Sequence, residues 1–149
     1  MTDVLLDTNI LIYALDKGNP FHHDAVTLIG DPSLNFFIAT KNISEYFAVC
    51  SKLTVPLPKA YGFYMQVCQN TQILYPDHQS LTVFEQLLQK YQPTGNRVYD
   101  MEIVSVAIVH QIPEIATVKT SKISLAYQKS RFGPSDDKIT CLRHKIFQK

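Results

Sequence analysis

Three carboxylates stand out by their placement. Asp7 lies between two apolar runs, Val4-Leu5-Leu6 and Ile10-Leu11-Ile12-Tyr13-Ala14-Leu15. Glu45 lies among Ile43, Tyr46, Phe47 and Val49, and Asp100 lies just ahead of Ile103, Val104, Val106, Ala107 and Ile108. Each acid falls at a strand end or near a helix start, flanked by core-forming residues. Taken singly, each reads as an N-cap or first-turn carboxylate, which helix N-termini favour; Asp7 is either such a cap or a metal ligand. Taken together, they raise a second chemistry. Two carboxylates about 5 Å apart repel by roughly 3 kcal/mol at an effective dielectric of about 20. Three such pairs would cost on the order of 10 kcal/mol, comparable to the whole stability of a domain. Converging acids therefore need a proton or a cation between them. With no paired Cys or His, all-oxygen ligation favours Mg²⁺ or Mn²⁺ over zinc. Carboxylate-held Mg²⁺ serves phosphoryl chemistry, activating water and stabilising a leaving oxygen.

The elements that must position these acids alternate along the chain. Val4–Leu6 is short and apolar enough for a buried strand, and Ile10–Leu15 has helical spacing, with Ile10, Tyr13 and Ala14 on one side. His22–Ile29 reads as a helix broken by Asp31-Pro32-Ser33, and Leu34–Ala39 as a second strand. Thr40 or Asn42 can cap a helix running from about Ile43 to Leu53. After Pro56 and Pro58 come a helix over Lys59–Asn70, a strand over Gln72–Tyr75, and a helix over His78–Tyr91. Val98–His110 is an apolar-rich helix, Glu114–Val118 a fourth strand, and Ile139–Leu142 a fifth. Strands alternating with helices imply a parallel sheet covered on both faces. Asp7 would then stand at the carboxyl end of the first strand, where open α/β sheets place ligands.

Composition narrows the class. The chain has 149 residues, enough for one domain with a substantial core, and is 46% apolar. No apolar run approaches the roughly 20 residues of a membrane span, so no membrane partner is expected. Cys50, Cys68 and Cys141 are odd in number and widely spaced, which predicts reduced structural thiols and a cytoplasmic setting. The five histidines show no metal-ligand spacing. Net charge is +1, yet residues 119–149 carry eight basic residues against Asp136 and Asp137, and the remainder of the chain is −5. Such asymmetry is what a polyanionic partner would select, although lysines scattered over a solvated face produce it too. An acidic site beside a basic segment points to cleavage of a nucleic acid.

The ordered motifs resemble a known family. Leu5-Leu6-Asp7-Thr8-Asn9-Ile10-Leu11-Ile12 resembles the opening strand of a PIN domain, and Ile43-Ser44-Glu45-Tyr46-Phe47 its central glutamate helix. Arg97-Val98-Tyr99-Asp100-Met101-Glu102-Ile103-Val104-Ser105-Val106-Ala107 is similar to its third acidic motif, and Ile115-Ala116-Thr117-Val118 to the strand that follows. The size resembles the stand-alone VapC-type ribonuclease toxins of VapBC toxin–antitoxin pairs. The resemblance implies a three-layer α/β/α fold over residues 1–149, with a central parallel sheet of four to five strands. It implies a Mg²⁺- or Mn²⁺-dependent endoribonuclease with RNA as substrate, a homodimer, and a cognate antitoxin. Carried over residue by residue, Asp7, Glu45 and Asp100 match the metal-binding acids, Asn9 a residue supporting the first of them, and Thr117 a hydroxyl near the site. The chain departs from the pattern at Lys119, where many members have Asp or Asn. Lys119 could displace a second metal, neutralise the acids or contact a substrate phosphate, and Arg97 could do the last as well. The resemblance further places dimer and antitoxin contacts near Tyr61, Tyr64 and Met65. Glu102, two residues from Asp100, is expected to point elsewhere and be solvated.

Other classes fit less well. A haloacid-dehalogenase phosphatase needs a second Asp where Asn9 stands. Asp7-Thr8-Asn9 has no glycine, which removes the P-loop and Rossmann readings. The remaining rival is a catalytically degenerate PIN-like domain that binds RNA or protein without cutting, and Lys119 is the residue that favours it.

Overall fold

The computed structural model describes residues 1–118 and 139–143. Its elements are β1 (Thr2–Leu6), α1 (Thr8–Leu15), α2 (His22–Ile29), β2 (Leu34–Ala39), α3 (Thr40–Lys52), α4 (Leu57–Cys68), β3 (Thr71–Leu74), α5 (His78–Tyr91), α6 (Arg97–Val109), β4 (Glu114–Val118) and β5 (Ile139–Arg143). Every strand and helix expected from the pattern occurs. Lys119 lies outside the described residues, as does most of the basic C-terminal segment.

The five strands form one sheet in the order β3-β2-β1-β4-β5. The first four run parallel, as expected, but β5 pairs antiparallel with β4, Glu114 opposite Arg143 and Val118 opposite Ile139. The chain moves outward from β1 through β2 to β3, then returns to the other side of β1 with β4. That reversal makes the carboxyl ends of β1 and β4 a topological switch point, where such sheets bind ligands.

Strand alternation divides the core. Val4, Leu6, Phe36, Ile38 and Ala116 pack with residues of α1, α2, α3 and α4 on one face. Leu5, Phe37, Ala39, Leu74 and Ile115 pack with residues of α5 and α6 on the other. Because successive strand residues face opposite ways, the continuous apolar runs of β1 and β2 serve both faces at once. The result is the three-layer α/β/α arrangement.

Two helices spring from strand ends without a loop. Asp7 follows β1 directly and is the N-cap of α1. Its backbone N–H donates to the Ala116 carbonyl at 2.9 Å, which continues the β1–β4 pairing one residue past the strand. Ala39 closes β2 and is also the N-cap of α3. An alanine has no side-chain acceptor to offer. Instead the fully buried Asn42, inside the first turn, accepts from the Ala39 N–H at 3.1 Å. The helix therefore starts at Thr40, before the Ile43 suggested by its apolar spacing. Tyr46, also buried, donates its hydroxyl to the Ala60 carbonyl at 2.7 Å and ties α3 to α4.

Candidate active site

The sheet brings the motifs to its carboxyl edge. Asp7 directly follows β1, Thr117 lies late in β4 beside it, Glu45 sits in the second turn of α3, and Asp100 in the first turn of α6. The Asp7 carboxylate accepts from the Thr8 N–H at 2.7 Å through Oδ1 and from the Thr117 hydroxyl at 2.6 Å through Oδ2. The Glu45 carboxylate accepts from the Thr8 hydroxyl at 3.0 Å. That hydroxyl in turn accepts from the Asn42 amide at 3.2 Å. Thr8 thus joins two acids, its backbone to Asp7 and its side chain to Glu45, and Asn42 fixes the rotamer of Thr8 from below.

The electrostatics show that the three acids share one field. Burial pushes the Asp7 carboxyl above the ordinary carboxylate range, and the bonds from Thr117 and Thr8 pull it partly back. Glu45 is raised by burial, lowered by the Thr8 bond and the nearby Lys41 charge, and raised again by the charges of Asp7 and Glu102. Asp100 is pushed up to about 6, first by burial, then by the charges of Asp7 and Glu45, with Arg97 acting in the opposite sense. Clefts that shift several acids in one direction are where functional sites concentrate.

Several neighbours could not be read from the motifs. Glu102 is partly exposed, as its spacing suggested, its side chain at 38%, but it has a partner there. Its carboxylate lies 3.8 Å from the Lys41 ammonium, and its charge reaches Glu45. The Lys41 ammonium also sits over the Tyr99 ring, 3.9 Å from its centroid. Asn9 is exposed on α1; the bonds to Asp7 come from Thr8 and Thr117. Thr8 was visible only as a small polar residue between apolar runs, and Asn42 only as a possible helix cap.

Among the described residues no three His, Cys, Asp or Glu side chains are already gathered as a metal-ligand set. The donor chemistry fits a hard divalent cation all the same. The acids offer oxygen ligands only, and each of Glu45 and Asp100 is raised by the charge of Asp7, a penalty that a cation would reverse. A cavity of about 710 Å³ opens elsewhere, between α5 and α6, lined in part by Val83, Leu87, Ile108 and Ile112. It contains none of these acids.

A family model for the PIN domain matches residues 4–120. The chain belongs to the PIN domain family. Solved structures similar to this PIN domain include the Mycobacterium tuberculosis toxin VapC20, described as cleaving the sarcin–ricin loop. That likeness has a TM-score of 0.62 at 12% identity, over 75% of this chain and 86% of that one. A toxin–antitoxin complex from Klebsiella pneumoniae matches at TM-score 0.59 and 21% identity, over 81% of this chain and 90% of that one. VapBC2 from Rickettsia felis, bound to a promoter DNA fragment, matches at TM-score 0.53 and 21% identity, over 74% of this chain and 83% of that one. At these identities the likeness is one of fold. No curated protein matches the sequence. Among the described residues no helix is long and apolar enough to cross a membrane.

Proposed function

We propose that this PIN domain is a metal-dependent endoribonuclease and the toxin of a type II toxin–antitoxin pair. The observation that carries the reading is the shared field of Asp7, Glu45 and Asp100 at the carboxyl edge of the sheet. These three residues would hold Mg²⁺ or Mn²⁺. When bound, the ion supplies a Lewis acid that activates water and polarises an RNA phosphodiester. The protein's own part is orientation. Thr117 and Thr8 fix the Asp7 carboxylate on both oxygens, and Thr8 fixes Glu45. Arg97 and Lys119 are assigned to substrate phosphate, and support of the first acid passes from the exposed Asn9 to Thr8 and Thr117. The basic segment beyond residue 118 would hold the RNA backbone, with affinity falling as salt rises.

The similar structures that contain an antitoxin support a cognate antitoxin here. So does the apolar face of α4, where Leu57, Tyr61 and Met65 recur every four residues and remain exposed. Such a patch marks a protein-binding surface, for the antitoxin or for a second copy in a homodimer. The setting we assign is the cytoplasm.

Purified protein incubated with a mixed tRNA and rRNA pool tests this reading, in Mg²⁺ or Mn²⁺, in EDTA, and beside Asp7→Asn. Metal-dependent cuts that vanish in the variant are expected. No cleavage by the wild type with either metal across several RNAs would sink the nuclease reading. Lys119 would then favour the second one, a domain that binds RNA or protein without cutting.

A further inference from the structure

We propose that Tyr99 and Lys41 form a nucleotide subsite at the mouth of the acidic site, Tyr99 stacking on a base and Lys41 meeting the adjoining phosphate. The proposal rests on RNA being the substrate and adds which residues grip it.

In α6, otherwise largely buried, Tyr99 is the large apolar side chain left exposed, at 46%. Its ring lies under Lys41, whose charge acts on Glu45, so a base resting on the ring lies near the acids. Lys41 comes from a different helix, one turn before Glu45, and its side chain is 26% exposed. Its ammonium is held by the Tyr99 ring and the Glu102 carboxylate together, at 3.9 Å from the centroid and 3.8 Å from an oxygen. A half-exposed pair of this kind contributes little to stability, so the Lys41 ammonium can exchange the Glu102 carboxylate for a phosphate at little cost. An aromatic face beside a fixed cation is the recurring unit that grips single-stranded nucleic acid without regard to sequence. The ammonium also places one positive charge beside a cluster of four acids, where a polyanion would otherwise be repelled.

Binding of a fluorescein-labelled single-stranded RNA of mixed sequence, measured by anisotropy in Ca²⁺ at several salt concentrations, tests the subsite. Tyr99→Ala should weaken binding about tenfold, the effect of losing one base–aromatic stack, while Tyr99→Phe binds as the wild type. Lys41→Met should weaken binding and reduce the salt slope by about one, as loss of a phosphate contact does. Thermal melting of each variant establishes that it is folded. Unchanged affinity in folded Tyr99→Ala, or no RNA binding by the wild type, overturns the proposal. Unchanged RNA affinity with weakened binding of a co-expressed antitoxin also overturns it and reassigns the face to protein recognition. Cleavage in Mn²⁺ separates the two readings. RNA bound through Tyr99 but never cut removes the nuclease and keeps the subsite; RNA cut by Tyr99→Ala at the wild-type KM does the reverse.

Discussion

Thr8 and Glu45, 37 residues apart, are joined by a 3.0 Å hydrogen bond from the threonine hydroxyl to the carboxylate. The same hydroxyl accepts from the buried Asn42 amide. Thr8→Val keeps the shape and removes both functions, leaving Asn42 with an unsatisfied buried donor. We expect a loss of about 1–3 kcal/mol in stability and a drop in metal-dependent cleavage, because Glu45 loses its anchor. Thr8→Ser should restore most of both. Urea unfolding and cleavage assays on the two variants measure this; a Thr8→Val protein as stable and active as the wild type would remove the relay from the site.

Thr117 donates to Asp7 across 110 residues of chain, at 2.6 Å. This bond favours the charged carboxylate and opposes the burial that raises it. Without it, Asp7 ionises at higher pH and is free to rotate. Thr117→Val should weaken Mn²⁺ binding about tenfold, the lower end of what losing a partner to a ligand costs. The pH at which cleavage sets in should rise as well. Calorimetric titration with Mn²⁺ gives the affinity directly; equal affinities in the two proteins would mean that Thr117 does not tune Asp7.

Acid pH should stabilise the metal-free protein, and Asp100 is the reason. Its folded-state pKa of about 6 lies above the ordinary 3.8, so the folded form binds the proton more tightly than the unfolded chain does. The resulting contribution to stability is fully present below 3.8 and is lost as pH rises through about 6. Asp7 and Glu45 are raised too and act in the same sense. Differential scanning of wild type and Asp100→Asn in EDTA across this range isolates the effect. The variant should show a shallower decline of Tm with rising pH; identical slopes would mean that Asp100 is not under this strain.

How much of this was legible depended on range along the chain. Periodicity located each strand and helix, and α2, β2, α5 and β4 have the bounds the pattern suggested, because Gly, Pro and Asp punctuate them clearly. The start of α3 was misplaced because its cap comes from Asn42 reaching backward to Ala39, a contact made inside the helix and not before it. The direction of β5 was not legible, because alternation places a strand on a sheet and says nothing about which way it runs. The acids were visible as types and placements. Their tuning was not, since Thr8 to Glu45, Thr117 to Asp7 and Lys41 to Glu102 are all contacts between separate elements. Helical spacing placed Glu102 away from Asp100 on α6. It could not foresee that α3 would bring Lys41 to meet it.

Asp7→Asn should separate function from stability. Asp7 is buried, its carboxyl is held above the ordinary range, and its charged form pushes up Asp100, so removing the ionisable group relieves the metal-free fold while the Thr8 N–H keeps an oxygen to donate to. We expect the metal-free variant to be more stable than the wild type by on the order of 1 kcal/mol, the usual direction of a stability–activity exchange at a strained site. In the wild type, saturating Mn²⁺ should reverse the order. Ligand at about 100 times its Kd adds roughly 2.7 kcal/mol to a protein that binds only when folded, and Asp7→Asn should gain far less. Thermal melts of both proteins with and without Mn²⁺ give four values of Tm. A crossing of the order on adding metal identifies Asp7 as a ligand held at a cost to the fold. A uniform shift of both proteins would place the ion elsewhere and leave Asp7 as a helix cap alone.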